Sequence, residues 1–143
     1  MITLLSRITL SVAVVLGVSA RAPDCSDSKA LAAERGLDDL KTWADLHATF
    51  RKFQGCDDGA IAEGWDDFVA RMLARNWRTI AELQRLVARD SGFRLFVMRH
   101  ISETADDNDL RQALSNARDH CPRSARRLCV QIAAAARNAL PNP

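Results

Sequence analysis

Apolar residues recur every three or four positions through most of the chain, and no stretch sustains an alternation of apolar and polar residues rich in β-branched side chains. That period belongs to amphipathic helices, not strands. Leu40, Trp43, Leu46, Phe50 and Phe53 fall on one helical face, as do Ile61, Trp65, Phe68, Met72 and Leu73, and later Leu128, Ile132 and Ala136. A helix apolar along one stripe must bury that stripe against a neighbour.

Capping residues and breakers divide the pattern into pieces. Ser28 is expected to cap a short segment that stops at Gly36, and Asp38 or Asp39 to open the next. Asp57 and Asp58 are expected to cap the helix that carries Trp65, the central one. Thr79 with Glu82 has the spacing of a capping box. Asp90 opens a helix with Phe93, Phe96, Val97, His100 and Ile101 on one stripe, another begins between Thr104 and Asp109 and is ended by Pro122, and Ser124 caps the last. Connections this short favour antiparallel neighbours, and no fixed-period repeat supports a solenoid. The expected fold is therefore all-α, a compact, disulfide-stabilised bundle of about five to six short helices.

The first twenty residues carry Arg7, an apolar run from Ile8 to Val18, and a small-residue end at Ala20. That layout is expected to be a secretory signal peptide, residues 1–20, followed by a single helical domain, residues 21–143. The run is too short for the roughly 20 apolar residues of a membrane span, and no later segment is a candidate, so no membrane span is expected in the mature chain. Arginine and alanine are abundant, which suggests a GC-rich bacterial source and, with the leader, the periplasm.

Four cysteines, Cys25, Cys56, Cys121 and Cys129, all follow the leader. An exported chain keeps such residues oxidised, so two disulfides are expected. Zinc is disfavoured because no C-x-x-C pair occurs and the histidines are scattered. Counting antiparallel helices puts Cys56 and Cys121 at the same pole, which favours joining Cys56 to the C-terminal pair. Cys121 and Cys129 would stand about 12 Å apart in continuous helix, beyond the roughly 7 Å that a bridge tolerates. Only an irregular turn after Pro122 would let those two pair.

Charge is nearly balanced overall but not along the chain. Residues 24–67 hold eleven acids and five bases, whereas residues 68–143 hold seven acids and thirteen bases. The densest polar stretch is Cys56-Asp57-Asp58-Gly59-Ala60-Ile61-Ala62-Glu63-Gly64-Trp65-Asp66-Asp67. Its plainest reading is a capped helix start whose acids complement the positive end of the helix dipole, with Gly59 and Gly64 letting another backbone approach. A calcium loop would need a ligand spacing that is absent here, and no metal or other cofactor is expected. Arginines 71, 75, 78, 85, 89, 94 and 99 recur at helical spacings, and Arg123, Arg126 and Arg127 cluster. A solvated face paired with nearby acids accounts for them, while phosphate-rich lipids, anionic glycans or an acidic protein are the alternative targets, export setting nucleic acid aside.

No nucleophile motif, phosphate loop or zinc-hydrolase motif occurs. His47, His100 and His120 could each supply a base, but His100 lies on an apolar stripe, where a paired core histidine is the simpler reading. The leading expectation is a small exported binding protein, of the inhibitor or immunity kind, that engages an envelope protein through Asp57, Asp58, Asp66, Asp67 and Trp65. Two alternatives stand beside it. One is a muramidase-like cell-wall hydrolase with Glu63 as general acid, which requires Glu63 buried in a deep cleft. The other is an envelope structural or stress protein.

Overall fold

Each amphipathic segment forms a helix that stops where the sequence supplies a cap or a breaker. The computed structural model describes residues 24–141, so the expected leader at residues 1–20 lies outside the described residues. Seven α-helices follow one another: α1 Asp27–Arg35, α2 Trp43–Phe53, α3 Gly59–Arg75, α4 Ile80–Arg89, α5 Ser91–Arg99, α6 Asp107–Asp119 and α7 Arg126–Ala139. Short 3-10 turns at Gln54–Cys56, Trp77–Thr79 and Arg123–Ala125 join α2 to α3, α3 to α4 and α6 to α7. The all-α expectation holds, with more and shorter helices than five to six. No helix among the described residues is long and apolar enough to cross a membrane.

α3 is the core helix, burying Ile61, Trp65, Phe68, Val69, Met72 and Leu73. α6 packs along it and α7 packs along α6, contributing Leu110, Ala113, Leu128, Ile132 and Ala136. α2 and α5 add an aromatic layer in which Phe50 stands 4.9 Å from Phe96, and Phe96 5.0 Å from Trp65, ring centre to ring centre. Tilted and edge-on pairs of this kind add about 1 kcal/mol each beyond the area they bury. Polar groups close the helix ends that the core covers. Asn116 donates to the carbonyls of Leu73 and Ala74, satisfying acceptors in the last turn of α3. Arg75 grips Asp109 with two parallel hydrogen bonds of 2.9 and 3.0 Å.

Several caps differ from expectation. Ser26, not Ser28, caps α1, and α2 starts later than Asp38 or Asp39, at a capping box between Thr42 and Asp45. Thr79 does not cap α4: its hydroxyl donates to the Asn76 carbonyl and accepts the Trp43 indole N–H at 2.9 Å. A buried indole needed that oxygen, and tertiary demand overrode the local motif. Asp106 caps α6, and α7 begins at Arg126 without the side-chain cap expected from Ser124.

The two disulfides join Cys25 to Cys56 and Cys121 to Cys129, which corrects the pairing that favoured Cys56 with the C-terminal pair. α1 folds back so that its start lies at the end of α2, where the Cys25 and Cys56 Cα atoms are 5.0 Å apart. Counting poles from Cys56 forward overlooked this nearer partner. Between Cys121 and Cys129 the chain is not continuous helix, because Pro122 and the 3-10 turn intervene, and the Cα separation falls to 6.1 Å.

Candidate functional site

The charged residues of the acidic stretch divide into an inner and an outer set as α3 rolls past the core. Asp66 follows Trp65 on the inner side and is buried despite its charge, while Trp65 is fully buried. Neither can be part of an exposed recognition surface, so the expectation of Trp65 and Asp66 as contact residues is corrected here. The apolar stripe of α3 carries both inward.

Asp66 meets His100, the residue that ends α5. His100 Nδ1 lies 2.6 Å from Asp66 Oδ1, and Ser102 and Thr104 donate their hydroxyls to Asp66 Oδ2, the former at 2.8 Å. On the other side, His100 Nε2 lies 3.3 Å from Asp57 Oδ1, an ion-pair distance without hydrogen-bond alignment. Asp57 also pairs with Arg99. The imidazole is itself buried, 4.2 Å from the Phe96 ring centre and edge-on to Trp65 at 5.6 Å. A carboxylate beside each ring nitrogen favours the imidazolium, the form that turns an N–H toward both anions.

Energetics agree with that geometry. Burial alone would push the His100 pKa down, but the contacts with Asp57 and Asp66 outweigh it and hold the pKa above its ordinary 6.5. Burial would likewise push Asp66 up, but the donors His100, Thr104 and Ser102 outweigh it and hold the carboxyl below its ordinary 3.8. The raised histidine contributes stability that is complete below pH 6.5 and is lost as the pH rises through its folded value. The depressed aspartate contributes stability that is complete above pH 3.8 and is lost as the pH falls through its folded value. Unfolding by urea across a pH series is therefore expected to show the greatest contribution of this cluster between those two values, declining on the alkaline side first by loss of the imidazolium.

The remaining expected site residues lie elsewhere. Asp57 is partly buried, whereas Asp58 and Asp67 are exposed. Asp58 caps α3 through the Gly59 amide at 2.8 Å. Gly59 has a left-handed backbone, φ 53°, and open space where a side chain would be, so it serves the turn rather than a close backbone approach. At Gly64 the close neighbour is the Leu37 side chain, not another backbone: an added methyl would lie 2.4 Å from it. Glu63 is exposed on the outer face of α3, one turn before Asp67. It has no enclosing wall, so the deep cleft required of a hydrolase acid is not built around it.

The other histidines are separate from this cluster. His47 pairs with Asp90 at 2.9 Å and lies against Phe93, while His120 is exposed at the end of α6 and its carbonyl accepts the Trp77 indole N–H. Among the described residues no group of three or more histidine, cysteine or acidic side chains is arranged to hold a metal ion. The convergence of Asp57, Asp66 and His100 escaped sequence reasoning, which took Asp66 as a surface acid. Its one signal was an aspartate at an inward position of an apolar helix, opposite a stripe that contains a histidine. The chain matches no family model, no curated protein and no solved structure.

Proposed function

We propose that the chain is an exported, non-catalytic binding protein of the bacterial envelope, of the inhibitor or immunity kind, that recognises a protein partner through the outer face of α3. The observation that carries this reading is the division of acids on that helix and its cap. Asp57 and Asp66 are spent on Arg99, His100, Ser102 and Thr104, while Asp58, Glu63 and Asp67 are exposed and make no ion pair among the described residues. Behind them the helix is fixed by Trp65 and Phe68 and held at its start by the Cys25–Cys56 bridge. A rigid, uncompensated acidic face suits a basic partner, because little ordering entropy is lost on docking.

Export is supported by the leader-like first twenty residues and by the two disulfides, which persist in oxidising compartments such as the periplasm. The test is capture of envelope proteins on the purified protein, followed by affinity measurement with the partner recovered. The triple variant Asp58→Asn, Glu63→Gln, Asp67→Asn is expected to bind about tenfold or more weakly, since each lost charge contact is worth about 1 kcal/mol, with unfolding unchanged. Unchanged affinity would remove this face. Peptidoglycan release by the wild type that disappears in Glu63→Gln would replace the binding reading with a hydrolase.

A further inference from the structure

Arg89 at the end of α4, Arg94 in α5 and Arg127 at the start of α7 line one groove together with Gln84, Ser91 and Gln131. Buried Val87 and Leu128 form its apolar floor, and its volume is about 500 Å³. No carboxylate lines it. Three described arginines meet acids, Arg75 with Asp109, Arg99 with Asp57 and Arg111 with Asp107, and most of the others are unpaired; what distinguishes Arg89, Arg94 and Arg127 is that they line one groove. Among the described residues the three groove arginines have no such partner. Asp90, which precedes Ser91, is turned to His47 and to the Phe93 amide. Three helices thus bring like charges to one groove that no carboxylate lines among the described residues.

We propose that this groove binds a phosphate monoester. A guanidinium offers parallel N–H donors matched to an oxyanion. A monoester phosphate carries a charge of roughly −1.5 to −2 near neutral pH and three terminal oxygens. It therefore answers three arginines, where a single carboxylate, with one charge and two oxygens, leaves one unanswered. Ser91 is the first residue of α5, so the positive end of that helix adds to the field. The volume falls in the range that holds small organic ligands, about 300–1,000 Å³, which leaves room for the esterified group over Val87 and Leu128. A soluble phosphate ester and a lipid ending in a monoester share this chemistry.

The site is independent of the acidic face of α3 and is tested apart from it. Amide chemical shifts of the purified protein are followed during titration with inorganic phosphate and with glycerol 3-phosphate. Sedimentation with phosphatidylcholine vesicles, with and without phosphatidic acid, runs in parallel. Saturable shifts at Ser91, Arg94 and Arg127 with the soluble probes mark a free ester, and sedimentation dependent on phosphatidic acid without those shifts marks a lipid. In either case the double variant Arg89→Gln, Arg127→Gln is expected to weaken binding about tenfold or more, as loss of charge-assisted hydrogen bonds implies. Arg118→Gln, on α6 and outside the groove, is expected to leave binding unchanged. Both substitutions in the double variant are at exposed positions, and an unaltered unfolding midpoint checks that it folds. Absence of saturable binding to every probe, or binding undiminished in the double variant, overturns the proposal.

Discussion

Asp66→Ala is expected to destabilise the protein by about 3–5 kcal/mol near pH 6, the cost typical of removing one partner from a buried ion pair. The substitution strips His100 Nδ1 of its acceptor and releases the Ser102 and Thr104 hydroxyls that hold the connection between α5 and α6 against α3. A domain of this size has a total stability of about 5–15 kcal/mol, so much of the population would be unfolded by mild denaturant. The effect has a definite pH dependence. Above the raised pKa of His100 the wild type has already lost its imidazolium, so the difference between the two proteins should narrow as the pH rises. Asp57→Asn is expected to cost less, about 1–2 kcal/mol, because Asp57 is only partly buried and its second partner, Arg99, is largely in water. Urea unfolding of both variants between mildly acidic and alkaline pH checks the order and the narrowing; equal losses for the two aspartates would contradict the assignment of Asp66 as the principal partner.

Trp65→Ala should be comparably damaging, about 3–5 kcal/mol, for a different reason. The indole is fully buried against Phe96 and His100 in the middle of α3, and its removal leaves a hole that rigid neighbouring helices cannot close. Its ring N–H has no hydrogen-bond partner among the described residues. An unsatisfied buried donor costs about 1–3 kcal/mol, which offsets part of what the large ring contributes by packing. Trp65→Phe removes the unpaired donor and keeps most of the ring, so it should lose much less than the alanine variant, about 1–2 kcal/mol. Thermal and denaturant unfolding of the pair measures that gap. A phenylalanine variant as unstable as the alanine one would mean that the indole N–H is satisfied after all, for instance by a trapped water.

The fold was readable where burial repeats with the helical period. The stripes Leu40 to Phe53 and Ile61 to Leu73 and the line from Leu128 to Ala136 all turn inward as their spacing implies. Caps were less readable, because a cap is a local offer that tertiary structure can decline. Thr79 and Glu82 had the right spacing, yet the Trp43 indole claimed the threonine oxygen, while Thr42 and Asp45 formed the box that was overlooked. The disulfide pattern turned on one irregular turn after Pro122 and on how tightly α1 doubles back, neither of which has a period to detect. The site was half legible. The acidic stretch stood out, but which of its aspartates face in depends on helix phase, and the pairing of Asp66 with His100 spans 34 positions. The arginine series was visible as well. Its convergence from α4, α5 and α7 on one groove is a property of packing, which no single helical spacing contains.

A common physical theme links these observations. The protein pairs its inward charges, with Arg75 on Asp109 and His100 between Asp57 and Asp66, and among the described residues leaves others outward without ion-pair partners, acids on α3 and arginines around the groove. Internal pairing fixes the helices, and fixed helices present charge in a constant arrangement. That is the requirement for recognition with little reorganisation.

Asp66, His100, Ser102 and Thr104 tie α3 to the end of α5 and the connection that follows it, a structural lock and not a reactive base, and the protonation of the His100 ring tests that role most directly. Long-range proton–nitrogen correlation spectra of the histidines, recorded from acidic to alkaline pH, report the state of each ring nitrogen. Below pH 6.5, His100 is expected to carry protons on both nitrogens and to exchange them slowly, and it should titrate with a midpoint above 6.5, while exposed His120 exchanges freely. A midpoint at or below 6.5, or ring protons of the imidazolium that exchange as freely as those of His120, would contradict the lock and return the histidine to the candidate catalytic bases.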